Sequence, residues 1–260
     1  LVMMILGIGG CTALLLTGFG IRDSIKSVVD DQYDTITLYD YGVSFSKPQT
    51  PETVSAYLAE QGWPAEDALL VHAGSTDVVA PGGTKSVYLT VSSTDTLEGF
   101  ISLHTTAGEP IPDPESGGVV VNIGLAQKLG IQLGDKIQLR STDLGTVTVT
   151  VSGICENYIQ NYVFVSPRTY AEQLGSEPEY QMLCLRSGGD ADPYEEGVRL
   201  SEGTDVGSVT VNASIRDRVN GMLSRLDYIV LIVVVCAGAL AFIVLYNLTN
   251  ININERIREI

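Results

Sequence analysis

Two stretches without a single charge constrain this chain more than any other feature. Leu1–Ile21 (LVMMILGIGGCTALLLTGFGI) and Tyr228–Asn254 (YIVLIVVVCAGALAFIVLYNLTNININ) contain no Asp, Glu, Lys or Arg. About 20 apolar residues of helix cross the ~30 Å hydrocarbon core of a bilayer, and residues 1–21 and 228–246 each supply them. Core helices of soluble proteins seldom run so far without a strongly polar side chain. The first segment also lacks the start Met, basic n-region and Ala-x-Ala site of a cleaved signal. Both are expected to be transmembrane helices, in a chain that reads as a fragment open at both ends.

What lies between them is acidic. The formal net charge is -16, from 31 acidic and 15 basic residues. The tail Glu255–Glu259 holds acids and bases in equal number, so the whole excess sits between Arg22 and Asp227. Such a surface repels nucleic acid and anionic lipid faces, which excludes a nucleic-acid partner. It reads as a solvated acidic face, with cationic peptides as the partners it would attract. Cys11 and Cys236 fall in the apolar segments, where they read as small packing residues. Cys155 and Cys184 lie in strand-like sequence and leave two states open: a disulfide, if the domain stands outside the cytoplasm, or two buried thiols.

Helical periodicity continues past both apolar segments. In IRDSIKSVVDDQY, Ile21, Ile25, Val28 and Val29 recur on one face, and Ile215, Val219, Met222, Leu226 and Ile229 form a stripe before the second span. The expected organisation is a transmembrane helix at 1–21, a stalk helix at 22–32, an extracytoplasmic domain at 33–213, a stalk helix at 214–227, a second transmembrane helix at 228–246 and a following segment at 247–260. Stalk packing is expected through Ile21, Ile25, Val28, Ile215, Val219, Met222 and Leu226.

The middle domain alternates helix and strand signals and is expected to be α/β (α+β) with mixed sheets. Thr50-Pro51-Glu52 caps a helix, since Thr accepts backbone hydrogen bonds and Pro suits the first helical position. Ser86–Ser92 alternates as a strand, Thr94–Ile101 is expected as a short helix, and the Pro-rich stretch 108–118 as a subdomain boundary. Then come a strand at Val119–Asn122, a helix closed by Gly130, the strands of IQLGDKIQLRS and GTVTVTVSGIC, a helix from Ser166-Pro167 to Gly175, and a final strand-helix-strand unit ending in VGSVTVN.

The residues offer no catalytic chemistry. His72 and His104 stand alone, without the three or four converging ligands a metal needs. There is no nucleophile elbow. Gly82–Ser86 (GGTKS) departs from a phosphate loop at Thr84 and reads as a hairpin turn. Carboxylate pairs such as Asp30-Asp31 and Glu195-Glu196 follow from an acid-rich composition, and no calcium loop is present. No catalytic residue, cofactor or metal is therefore expected. Gly9, Ala13 and Thr17, and Ala237 with Ala241, recur every four residues and allow close helix packing in a membrane.

Leu245–Ile260 (LYNLTNININERIREI) resembles the segment after the second membrane helix of FtsX-like, MacB-type ABC transporter permeases. Gly10–Ile25 (GCTALLLTGFGIRDSI) is similar to their first membrane helix. VVVNIGLAQKLGIQLGDKIQLRS, with VTVTVSGICEN and VFVSPRTY, resembles their extracellular core, notably its A-x-x-L-G-x-x-x-G-D-x-I-x-L cadence. Residues 33–118 carry no such likeness.

The resemblance implies a bacterial, multi-pass membrane subunit with its central domain extracytoplasmic, coupled to a cytoplasmic ABC ATPase through Glu255, Arg256, Arg258 and Glu259. It further implies membrane lipid and a second permease half or second copy as partners, with an extracellular peptide or envelope protein as another. Charge alone does not set the orientation: Arg22, Lys26, Arg216, Arg218 and Arg225 flank the side read as external. A two-span receptor with an extracytoplasmic ligand-binding domain is the alternative that the residues support, and a tethered scaffold a third.

Overall fold

The computed structural model describes residues 2–114, 117–141, 145–175, 177–188 and 191–258. They divide into two compact bodies, Leu1–Val29 with Arg216–Ile260, and Asp30–Ile215. In chain order the elements are α1 (Val2–Asp30), β1 (Tyr41–Gln49), α2 (Pro51–Gln61), β2 (Ala68–Ala80), β3 (Gly83–Ser92), β4 (Gly118–Asn122), α3 (Ile123–Leu129), β5 (Lys136–Ser141), β6 (Gly145–Cys155), β7 (Tyr162–Val165), α4 (Pro167–Leu174), β8 (Tyr180–Leu185), α5 (Pro193–Ser201), β9 (Val206–Val211) and α6 (Asn212–Arg258).

Local chemistry accounts for the helix ends in the middle body. Thr50 and Thr53 form a reciprocal capping box at α2, with Pro51 just inside. The Ser166 hydroxyl accepts from the Thr169 N–H at α4. Gly130 (φ 67°) and Gly175 (φ 71°) close α3 and α4 in the left-handed conformation that glycine adopts without a Cβ penalty.

The body Asp30–Ile215 contains two sheet systems that share β2. β1-α2-β2 and β8-α5-β9 make an antiparallel sheet of order β2-β8-β1-β9, the split β-α-β arrangement of ferredoxin-like folds. Tyr41, Val43, Leu183 and Leu185 bury one face of it against Val54, Tyr57 and Leu58 of α2 and Leu200 of α5. Everything from β3 to α4 is inserted between the second and third strands of that unit. Strands β2-β3-β7-β4-β6-β5 pair in turn and close back on β2, forming a six-stranded barrel. Alternation fills its interior with Val87, Leu89, Val119, Val121, Val149 and Val163.

The single 13-residue strand β2 serves both systems: Ala68–Val71 pairs with β8, and Asp77–Val79 pairs with β5. The division between the two lobes therefore falls along β2 rather than at 108–118. Thr94–Ile101 is not helical but a run of bends and turns. Its Leu97 and Phe100, with Leu103 beyond, are drawn into a third apolar cluster with Leu69, Val71 and Phe164. Tertiary burial of these side chains overrides the short helical pattern.

In the other body, α1 and α6 lie antiparallel. Gly18 approaches Val230, whose Cγ2 would be 3.5 Å from an added Cβ. Arg22 meets Asp227, with Nε 2.7 Å from Oδ1 as a charge contact and the hydrogen bond running from Nη2 to Oδ2 at 3.2 Å. Val29 and Leu223 are buried, on the same stripes as Arg22 and Asp227 at helical spacing.

The expected stalk positions differ in burial. Ile21 (54%) and Met222 (65%) are exposed, as is Ile25, while Val28, Ile215 and Val219 are half-buried. Beside Gly18 and the ion pair, Ile21, Ile25 and Met222 face outward, whereas Val29 and Leu223 are buried. The Leu226 side chain lies outside the described residues, as do those of Cys11, Glu255, Arg256 and Arg258 and the whole of Glu259. Among the described residues one helix is long and apolar enough to cross a membrane, within Asn212–Ile243.

Candidate functional site at the roots of the two long helices

The last helical turn before β1 is a π-turn, Asp31–Ile36, continuous with α1. Such turns cost hydrogen-bond geometry and concentrate at functional positions. This one is fastened by Gln32. The buried Gln32 amide donates to Asn157 Oδ1 (2.9 Å) and Thr37 Oγ1 (3.1 Å), and its carbonyl oxygen accepts from the Tyr158 (3.0 Å) and Ile159 (3.3 Å) N–H groups. Asn157 in turn donates to the Ile159 and Gln160 carbonyls. Gln160 has φ 68°, a strained conformation for a residue with a side chain. The Asn122 amide also donates to the Gln160 carbonyl, so neighbouring groups over-determine that conformation.

Between the π-turn and β1 the chain is tied on both sides. Leu38 N–H donates to Phe100 O (2.9 Å), Ser102 N–H to Ile36 O (2.9 Å) and Asp40 N–H to Leu185 O (2.8 Å). The first residue of α6 completes the arrangement. Asn212 N–H donates to Asp40 O (2.9 Å), and its side-chain amide donates to Tyr39 O (2.6 Å). The strand leaving one long helix and the start of the other are thus hydrogen-bonded to each other within the body Asp30–Ile215.

These roots border a cavity of about 280 Å³. One wall is the outer surface of the barrel, where Ala73, Tyr88, Thr90, Tyr162 and Phe164 alternate with the inward valines. The facing wall is the sheet surface opposite α2 and α5, carrying Tyr39, Met182, Cys184 and Thr210. Gly42 leaves room there: a Cβ would stand 2.9 Å from the Met182 methyl. Residues Gln32–Thr37 and Asn212–Ile215 line the remaining side.

Tyr88, Tyr162 and Phe164 form a ring series with centroids 5.6 and 5.8 Å apart. Burial is the main cause raising the Tyr39 and Tyr162 phenols above their ordinary range, so both stay neutral at neutral and moderately alkaline pH. No charged side chain lines the cavity among the described residues.

Cys155 and Cys184 are both free thiols in this structure and both buried in the third apolar cluster. Burial pushes each thiol up to about 12. His104 Nε2 lies 3.5 Å from Glu156 and His72 Nδ1 2.7 Å from the Glu179 carbonyl oxygen. Among the described residues no group of His, Cys, Asp or Glu is placed to hold a metal. The root residues Gln32, Asn157 and Asn212 were not singled out by sequence reasoning; a polar residue in the helical stripe Ile21–Tyr33 was the available signal.

The pattern of the MacB-like periplasmic core domain matches residues 1–201. The chain belongs to that family, a component of ABC transporter permeases, and the family sets this domain outside the cytoplasm on a membrane-anchored protein. Among curated proteins none matches the sequence.

Solved structures similar to it include the periplasmic region of MacB from Actinobacillus actinomycetemcomitans. That likeness has 10% identity and a TM-score of 0.45, over 74% of this chain and 97% of that one. The extracellular domain of the noncanonic ABC-type transporter YknZ from Gram-positive bacteria is 10% identical with a TM-score of 0.41, over 65% and 98%. A domain of a permease protein from Porphyromonas gingivalis is 18% identical with a TM-score of 0.34, over 66% and 81%.

Proposed function

We propose that this chain forms the extracytoplasmic core and first two membrane helices, 1–21 and 228–246, of an FtsX-like ABC transporter permease. In this reading it transmits motion driven by a cytoplasmic ATPase, for export or for work outside the cell, without catalysis of its own. The observation that supports it is the mutual attachment of the helix roots: Asn212 holds Tyr39 and Asp40, so displacement of either root is passed to β1. Glu255, Arg256, Arg258 and Glu259 begin the segment that would dock on the ATPase. A second permease half or second copy would complete the transporter, and the acidic domain would meet a cationic peptide or envelope protein.

The test replaces those four residues by Ala in the full-length protein and measures co-purification with its ABC ATPase. Loss of the ATPase, with an unchanged gel-filtration profile of the permease, is the expected result. Undiminished co-purification would overturn the coupling role of these four residues, and absence of any ABC ATPase from the wild-type preparation would favour a two-span receptor.

A further inference from the structure

We propose that the cavity between the barrel wall and the bare sheet face is a binding site for a small, neutral, planar aromatic molecule. Three observations carry this. Its volume of about 280 Å³ is at the lower end of small-molecule pockets, enough for a two-ring compound. Its wall holds no charged side chain among the described residues of a domain that is otherwise strongly acidic. Desolvating an ion there would be uncompensated, so the ligand is neutral. The barrel side presents the ring series Tyr88–Tyr162–Phe164, against which a flat ring gains offset-stacked or edge contacts.

The polar groups of the rim do not compete for this ligand. Gln32 and Asn157 use their amide donors and their acceptor oxygens on one another, on the Thr37 hydroxyl and on the backbone of 158–160. Tyr39 and Thr210 are the hydroxyl-bearing residues of the facing wall, and a single polar substituent on the ligand is assigned to them. An alkyl chain would fill the space but forgo the ring contacts, which is why an aromatic occupant is favoured. The occupant would bridge barrel, sheet and both root segments and thereby hold them in one arrangement. The binding claim needs only the domain, and stands whether or not the ATPase-coupling reading does.

The experiment is hydrogen exchange with mass spectrometry on the full chain in nanodiscs, with 2-naphthol as the probe. Half-saturation near 0.3 mM would slow exchange about fourfold at about 1 mM probe, by mass action on the closed state. The slowing is expected in 32–37, 158–162 and 210–215, and not in α2 or α5. Ala73→Phe, an exposed position on the cavity wall opposite Thr90, fills the space and should abolish it. Tyr88→Ala, also exposed, should weaken it at least threefold, with exchange elsewhere unchanged in both variants. Equal protection by 1-decanol would overturn the aromatic assignment, and equal protection by 2-naphthalenesulfonate the neutral one. Protection that persists in Ala73→Phe, or none in the wild-type chain, would overturn the site itself.

Discussion

Gln32→Leu removes four hydrogen bonds while keeping nearly the same side-chain volume. The bonds run to Asn157, Thr37 and the N–H groups of Tyr158 and Ile159. At about 1 kcal/mol net each, their loss comes to about 4 kcal/mol, and a buried group left without a partner costs about 1–3 kcal/mol. Water can reach part of the loss, because Tyr158 is 42% exposed and Thr37 half-buried. Asn157 is 7% exposed, so its carbonyl oxygen stays stranded. A destabilisation of about 3–4 kcal/mol is expected, a large share of the ~5–15 kcal/mol that holds a typical domain.

Urea unfolding of the chain in nanodiscs, followed through Trp63 in the α2-facing core, reads this directly. Hydrogen exchange at residues 158 and 159 should accelerate in the same variant before global unfolding. A loss below about 1 kcal/mol, with protection at 158 and 159 intact, would refute the assignment of Gln32 as the fastening of the π-turn.

Gly82→Ala should destabilise by about 2–4 kcal/mol in the same urea assay, because a Cβ would lie 2.5 Å from the Leu129 carbonyl oxygen, a backbone atom that cannot swing away. Gly188→Ala, which meets nothing within 4 Å, should stay within about 0.5 kcal/mol. Burial pushes the Cys155 and Cys184 thiols up to about 12, so they hold far less thiolate than in the unfolded chain and N-ethylmaleimide at pH 8 should label them only after denaturation. A raised folded-state value means their contribution is fully present below pH 9 and lost as pH climbs towards 12, and the urea midpoint should fall over that window and not below it. Arg22 and Asp227 are 37% and 45% exposed, so a double-mutant cycle should return about 0–1 kcal/mol of coupling, with the charge-swapped pair recovering most of it.

Much of the fold was legible because its signals are local. Thr50-Pro51, Ser166-Pro167, Gly130 and Gly175 punctuate helices whatever surrounds them, and VTVTV alternates as any half-buried strand does. Non-local pairing was not legible. Nothing in residues 68–80 announces that one strand will pair with β8 at its start and β5 near its end, so the barrel and the shared strand were invisible to periodicity.

The stalk shows a second limit. Apolarity picks out Ile25 and Met222, which are exposed, whereas the contacts between α1 and α6 include the small residue Gly18 beside Val230 and the Arg22–Asp227 pair. The fastening residues Gln32, Asn157 and Asn212 escaped for a related reason. A buried amide is recognisable only once its partners, more than 100 residues away in the chain for the Gln32–Asn157 and Asn212–Tyr39 bonds, are placed beside it.

The inserted barrel explains why the cavity exists where it does. The sheet β2-β8-β1-β9 packs one face on α2 and α5, and without the insertion its other face would leave Met182 and Cys184 in solvent. The barrel covers that face, but a closed, convex wall cannot mesh fully with a twisted open sheet. The unfilled remainder falls beside Gln32–Thr37 and Asn212–Ile215. At this seam the roots are held by hydrogen bonds and not by either of the two large apolar cores, which lie inside the barrel and beneath the helices. A small shift of the roots therefore leaves both cores packed. It bears first on the Asn212–Tyr39 link at the start of β1 and on the strained loop at Gln160.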